Sequence, residues 1–431
     1  MEGMETLGRL LTDLGERSAY DAASQCSRCG YCEQACPTYT ATGREAYSPR
    51  GRNQIVRLML EGKLDDPEGA LDALSSCLLC GACTTACYAK VPTPDLVLEG
   101  RRALRARAPA AVRALTRLQL RSPRTLERLL KLAYLAKRLG LSRAARPVLR
   151  ALGLGVLAEM DEHVRRVPER IFDDERRRAP GPEGENWTYF APCGPRYLFP
   201  RAALATQSVL KRLRGPGRFR DNRCCGLLAH NYGELEGARE LARRNISEAE
   251  SWGPGPIVAD CSSCAAFLKS YPQLFLSPGQ DGWRRRAQRF AARVRDAVEI
   301  YAQDAARLPP APGLGATCWH DSCRGLNGEG LKDEPRRVAR AIAGEEFREM
   351  PRADACCGGA GAFAFTRPEL SDELLRAKVS GAAAAQARTV VAGSTSCLIQ
   401  LARGFRMYYP DAEVIHISEY VARALGEKHG P

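Results

Sequence analysis

No apolar run in this chain of 431 residues reaches the length of about 18 that a membrane-crossing helix needs. Any membrane contact is therefore expected to be peripheral or through a partner. The N-terminus, MEGMETLGRLLTDLGERSAYD, lacks the basic start and apolar core of a secretory signal and alternates charges with leucines, which predicts a short amphipathic helix. A nucleotide loop is missing as well. GGAG after Cys357 has neither the lysine nor the Ser/Thr of a Walker motif, and GxGxxG is absent. Acidic residues are nearly missing from residues 101–150, which hold 15 Lys and Arg against the single acid Glu127, while the rest of the +14 chain is formally neutral. Such a block suits an acidic partner surface or anionic lipid headgroups, with a solvated helical face as the plain alternative. It shows no interleaved aromatics, helix-turn-helix or zinc-finger pattern, so nucleic acid is not expected as a partner.

The length is too great for one core and suits about three domains. Eighteen cysteines would form a disulfide framework in a small secreted domain. Here the chain is large and the cysteines fall at metal-ligand spacings, which require thiolates in a reducing compartment, so a cytoplasmic protein is expected. CSRCGYCEQAC, residues 26 to 36 followed by Pro37, has four cysteines at x2, x2, x3 spacing, the iron-sulfur run of bacterial ferredoxins. CLLCGACTTAC, residues 77 to 87, repeats it in every cysteine and in the glycine (Gly30, Gly81), with Tyr88 where the first run has Pro37. In such runs three thiolates serve one cubane and the fourth serves the other. One 4Fe-4S cluster is thus expected on Cys26, Cys29, Cys32 and Cys87, and a second on Cys77, Cys80, Cys83 and Cys36. Structural zinc needs only four ligands and leaves half of these cysteines without a role.

Between the runs, NQIVRLMLEGKL is apolar at helical spacing and closes at Gly62. Residues 1–100 read as an alpha-helical ferredoxin domain that Pro92 and Pro94 bring to an end. Residues 101–185 read as a basic helical connector. In it Leu126, Leu129, Leu130 and Ala133 recur with helix period, Pro109, Pro123 and Pro147 are expected to break it into short helices, and APGPEGEN marks its end.

The remainder is a second internal repeat of alternating strands and helices, over 186–310 and 311–431. WTYFAPC ends at Cys193, NRCCG is a turn with Cys224 and Cys225, and PIVADC ends at Cys261, with Cys264 on the next helix. In the second half, HDSC ends at Cys323, ACCGGAG carries Cys356 and Cys357, and TVVAGS leads to Cys397. Such alternation implies a small parallel or mixed sheet in each half, with ligands outside the carboxyl ends of the strands. All the cysteine groups fall there, so each half should gather one metal site, a pair of buried structural cysteines being the alternative. The expected fold is α+β and multidomain: the ferredoxin domain, the connector and two tandem α/β cysteine-rich domains.

Cys193, the Cys224-Cys225-Gly226 turn and Cys261-x-x-Cys264 resemble the CCG, or cysteine-rich, domain of heterodisulfide reductase subunits. The fused order of two ferredoxin runs and two such domains resembles the glycolate oxidase iron-sulfur subunit. The resemblance implies a non-cubane iron-sulfur cluster, the reactive centre, on Cys193, Cys224, Cys225, Cys261 and Cys264. The second half departs from it, with Ser394 where the first has Cys261. Its four thiolates, Cys323, Cys356, Cys357 and Cys397, leave open an ordinary cubane, a zinc ion or nothing, and Cys318 is spare. His230 and His320 read as supporting or surface side chains, the alternative being donation to cluster sulfur or proton shuttling. No flavin pattern is evident, so a hydride acceptor is expected on another chain. The function implied is electron transfer from an FAD-linked 2-hydroxy-acid oxidase subunit, of the glycolate or D-lactate type, to quinone, a membrane cytochrome subunit or another acceptor. The alternative is a heterodisulfide reductase-like subunit that cleaves a disulfide at the non-cubane cluster.

Overall fold

The computed structural model describes residues 9–12, 15–104, 110–153, 155–178, 183–311 and 313–427. The stretch expected as an N-terminal amphipathic helix is a hairpin in its described residues. Strand β1 (Arg9–Thr12) pairs antiparallel with β2 (Gly15–Ser18), and a helix starts only at Ala19, where the Ser18 hydroxyl accepts from the Asp21 amide. Residues 1–8, 13 and 14 lie outside the described residues. Gly15 has φ +89°, a conformation that a continuous helix excludes, and the hairpin buries Leu10 against Ala19, Ala22 and Val56.

The amphipathic stretch between the cysteine runs is the helix Pro49–Leu60, followed by a second helix, Pro67–Ser75. Pro92 and Pro94 do not end this helical layer. They open the helix Thr93–Ala103, because a helix's first turn needs no N–H from proline. That helix packs on the two before it and buries Leu96, Val97 and Leu98, so the layer runs through Ala103.

The connector is helical over Ala110–Arg121, Pro123–Arg138, Leu141–Ala151 and Gly155–His163. Pro123 opens its helix, whereas Pro147 lies inside Leu141–Ala151 without ending it. On so exposed a helix, solvent can satisfy the carbonyl that proline leaves unpaired. Pro109 lies outside the described residues. The helix period around Leu126 is real, but only Leu126 points inward; Leu129 and Ala133 are exposed. The basic block is also less exposed than its charge suggests. Arg101 is buried, Lys131 pairs with Glu127 and Asp174, Lys137 and Arg146 with Asp161, and Arg150 with Glu159 and Glu162. Among the described residues no helix is long and apolar enough to cross a membrane.

The two repeat halves each hold a parallel sheet. In the first, β3 (Thr188–Phe190), β4 (Arg218–Phe219), β5 (Ile257–Ala259) and β6 (Val294–Asp296) lie in the order β4-β3-β5-β6. In the second, β7 (Thr317–His320), β8 (Thr389–Ala392) and β9 (Glu413–His416) lie in that order, and a single bridge from Phe347 to Thr317 stands where β4 would be. The order of parts is the α+β arrangement expected.

The halves share one core. Val298 and Tyr301 pack in the same cluster as Trp319, Val391, Ile415 and Tyr420. A buried polar network crosses it. Asp260 accepts from Tyr189 at 2.9 Å and from Thr206 at 2.7 Å, Thr206 Oγ1 is 2.7 Å from Ser418 Oγ, and Ser418 lies 2.9 Å from the Tyr301 hydroxyl. Burial pushes the Asp260 carboxyl up to about 6. Thr206→Val leaves Asp260 and Ser418 each short of a partner where water cannot replace it. It should cost about 1–3 kcal/mol, read as a lower midpoint of urea unfolding with unchanged slope.

Candidate metal centres

Four cysteines from both runs line one cavity: Cys36 with Cys77, Cys80 and Cys83. Cys36 reaches it because it precedes the helix Pro37–Thr42, which turns the chain away from the first run. The exchange is reciprocal. Cys87 lies near Cys26 and Cys32, and the Cys32 thiol is pushed up to about 11 by burial first, then by the charges of Cys26 and Cys87. Cys29 is exposed, and a hydrogen bond from the Tyr31 backbone draws its thiol down. Beside it Tyr31 and Tyr88 meet edge-on at 5.3 Å, both exposed.

Two arginines hold these loops, and neither role is visible in the sequence reading. Arg52, 1% exposed, donates to Ala73 O at 2.9 Å, Thr38 Oγ1 at 2.9 Å and Ser76 Oγ at 2.8 Å, and its Nη1 lies 3.7 Å from Cys36 Sγ. Its position one turn before buried Val56 was the available signal: a charge on the apolar face of a helix. Arg101 donates to the carbonyls of Leu74 at 2.8 Å, Cys77 at 2.7 Å and Asn231 at 3.0 Å, which ties the second run to the first repeat half.

In the first half five sulfurs form a contact chain. Cys193 hydrogen-bonds Cys224, Cys224 contacts Cys225, Cys225 lies 3.2 Å from Cys264, and Cys264 meets Cys261. Cys193 and Cys261 follow β3 and β5, so parallel pairing sets them side by side. The CCG turn is held behind them by Asn245 and Tyr271, which donate to the carbonyls of Cys224 at 3.1 Å and Cys225 at 2.7 Å. Gly226 and Gly358 have φ +91° and +79°, and a Cβ at Gly358 would lie 2.6 Å from the Ser371 carbonyl. A hydrogen bond from Cys264 holds the Cys261 thiol down to about 6 against its burial, and Cys264 is correspondingly raised by Cys225 and Cys261. A cleft lined by Leu126, Arg196, Tyr197 and Arg223 opens onto Cys193 and Cys224.

In the second half Cys323, Cys356, Cys357 and Cys397 form a like chain. Ser394 turns to the first half, its Oγ 2.7 Å from Ser263 Oγ and 3.9 Å from Cys261 Sγ. His320 joins the site, with donor atoms of His320, Cys357 and Cys397 within 4.8 Å of one another. His230 packs on Phe267 at 5.1 Å, its imidazole drawn down to about 3 by burial. Cys318 is a core residue beside Met350 and Val379. The second half also adjoins the second run. Cys80 is close enough to Cys323 and Cys356 for their charges to bear on it, and Asn327 donates to its carbonyl at 3.1 Å.

Packed this closely, thiols cannot ionise together without a cation among them, and all eighteen are free of disulfides. Such donor sets fit iron-sulfur binding. With a cluster bound at Cys36, the buried Arg52 cation favours its reduced form. Arg52→Met should lower one midpoint potential by on the order of 100–200 mV, the worth of a unit charge about 4–7 Å away at an effective dielectric near 20, and leave the other signals in place. Redox-poised electron paramagnetic resonance measures this.

A 4Fe-4S dicluster domain matches residues 22–91, and a cysteine-rich domain, CCG, matches residues 187–269 and 317–402. The chain is similar, at 27% identity over 97% of its length and 98% of the other's, to the probable glycolate oxidase iron-sulfur subunit of Bacillus subtilis. It is similar at 26% identity, over 93% of each chain, to the glycolate oxidase iron-sulfur subunit of Escherichia coli. It is also similar to lactate utilization protein A of Oceanobacillus iheyensis, at 28% identity over 46% of this chain and 79% of that one. The chain thus carries a 4Fe-4S dicluster domain followed by two cysteine-rich CCG domains, and it is an iron-sulfur electron-transfer subunit of an oxidoreductase complex.

Proposed function

We propose that this chain serves a glycolate or D-lactate type 2-hydroxy-acid oxidase or dehydrogenase. It would take electrons from an FAD-linked partner subunit and deliver them to quinone, a membrane cytochrome subunit or another acceptor. The observation that supports this reading is the placement of Cys80 beside Cys323 and Cys356, which brings the second ferredoxin-like run up to the second CCG half. Similarity along nearly the whole length of two glycolate oxidase iron-sulfur subunits supports it.

The proposed ligands are Cys26, Cys29, Cys32 and Cys87 for one 4Fe-4S cluster and Cys36, Cys77, Cys80 and Cys83 for another. Cys193, Cys224, Cys225, Cys261 and Cys264 would hold a non-cubane cluster. Bound there, these groups supply one-electron storage and transfer. The chain's own residues set the terms of that transfer. Exposed Cys29, with Tyr31 and Tyr88 beside it, offers the partner a near approach. The five-thiol set carries more sulfur than a cubane needs and faces a cleft, which suits it to an incoming ligand. That cleft also favours the second reading, reduction of a disulfide. The domain limits that go with this reading are those expected from the sequence, 1–100, 101–185, 186–310 and 311–431, with the first moved to Ala103, where its last helix ends.

We further propose that the connector rests on an anionic membrane surface. Leu129, Leu132 and Leu135 fall on one side of the helix Pro123–Arg138, with Leu139 just past its end, all exposed, Leu132 by 63%. Leu141, Val148, Leu152 and Leu157 extend the apolar surface, and exposed Arg121, Arg124, Arg128, Arg138 and Arg143 rim it. Apolar side chains among arginines are the chemistry of a helix lying in a headgroup layer.

Two experiments test these readings. Cys261→Ser should abolish turnover of the purified complex with a 2-hydroxy acid while both ferredoxin-type signals persist. Full turnover would remove the first CCG half from the path, and turnover with disulfides alone would favour the second reading. The chain should also sediment with vesicles containing phosphatidylglycerol and be released by salt, since the Debye length is about 8 Å at physiological ionic strength. Changing Leu132 and Leu139 to Ser and Arg124 and Arg128 to Gln should weaken binding at least tenfold without changing iron content. Equal binding to neutral vesicles, or none to either, would leave this face to a protein partner.

A further inference from the structure

The two CCG halves differ at a second matched position besides Ser394. His320 ends β7 three residues before Cys323, and Phe190 ends β3 three residues before Cys193. Phe190 is an ordinary core side chain, packed with Cys225, Cys261 and Cys264. In the same place, His320 puts an imidazole against Cys357 and Cys397, with donor atoms of all three within 4.8 Å. The ring is 1% exposed, and neither of its nitrogens has a hydrogen-bond partner. A core histidine ordinarily satisfies at least one nitrogen, because burying both unpaired is costly. Here the ring shares its pocket with the thiol sulfurs of Cys357 and Cys397. Lys378, buried on the helix Pro368–Ala384 and donating to Arg352 O at 2.8 Å and Ala353 O at 2.7 Å, adds a cation close to Cys357 and Cys397.

We propose that His320 is a ligand of the second half's metal centre, which makes that centre an iron-sulfur cluster of mixed thiolate and imidazole ligation. The half that lacks a thiolate at 394 thus supplies a nitrogen donor from β7. Its Ser394 hydroxyl is already engaged with Ser263 across the boundary and is not available to the site. A neutral nitrogen in place of a thiolate leaves the cluster less negative and raises its potential. The centre beside Cys80 would then be the higher-potential neighbour and would draw electrons out of the second run. This inference rests on the reading that the second half binds iron.

The test uses the full chain with its native partners, purified without oxygen and labelled with 15N-histidine. Pulsed electron paramagnetic resonance should show one cluster with a strong nitrogen coupling that changes on labelling. The coupling should vanish in His320→Phe, which installs the residue that the first half already accommodates, and iron should fall by one cluster or that cluster's midpoint should change. His320→Cys should retain the iron, lose the coupling and lower the midpoint. Mössbauer spectra of 57Fe-loaded protein count the clusters whatever their spin state. The proposal is overturned if iron, midpoints and couplings are the same in His320→Phe as in the unaltered chain. It is equally overturned if zinc is found at Cys323, Cys356, Cys357 and Cys397, or if Cys397→Ser removes a cluster that shows no histidine coupling. None of these readouts uses turnover, so failure of the 2-hydroxy-acid reading leaves them intact, and absence of all iron would instead remove the iron-sulfur reading as a whole.

Discussion

Crowded sulfur is the constraint on which this structure depends. Thiols packed together, all buried or half-buried except Cys29, cannot all carry charge without a cation, nor can they all stay neutral as metal ligands. The surrounding fold is arranged to make that crowding tolerable. Strand ends place Cys193, Cys261 and Cys323 at the carboxyl edge of parallel sheets, and glycines with left-handed backbone let each CCG turn present two sulfurs at once. Buried cations stand close by: Arg52 at Cys36, and Lys378 near Cys357 and Cys397.

The two CCG halves are built to one plan and are not separable. Their helices and strands contribute to a common core, and Asp260, Thr206, Ser418 and Tyr301 join them through a network sealed from water. This shared interior holds together two halves that differ in ligands and in the number of strands in their sheets. Where the first half has Cys261 the second has Ser394, its hydroxyl paired with Ser263, and His320 ends the strand that matches the one ending at Phe190.

Contact among the parts gives the chain its direction of reading. The second run touches the second half through Cys80 and Asn327, and the first half through Arg101 and Asn231. The connector is the part least tied to this interior. Its acids neutralise much of its own basic charge, and its remaining apolar surface faces outward.

By itself the sequence determined the cysteine sets and the repeat, because metal-ligand spacing within a tight loop and the alternation of strands with helices are local properties. It also determined which halves of the repeat differ, since Ser394 is read directly against Cys261. Tertiary structure alone decided the rest. A helix period shows that one face of Pro123–Arg138 is apolar but not that this face would be left outside, because burial depends on what else packs there. The hairpin at Arg9–Ser18 depended on Leu10 finding a distant core, and Pro92 and Pro94 opened a helix because Leu74 and Val56 were there to receive it. Arg52, Arg101 and His320 look like ordinary polar residues in the chain. They became parts of the centres only when folding took their polar atoms out of water and left carbonyls or sulfur beside them, a consequence of long-range packing that no local spacing encodes.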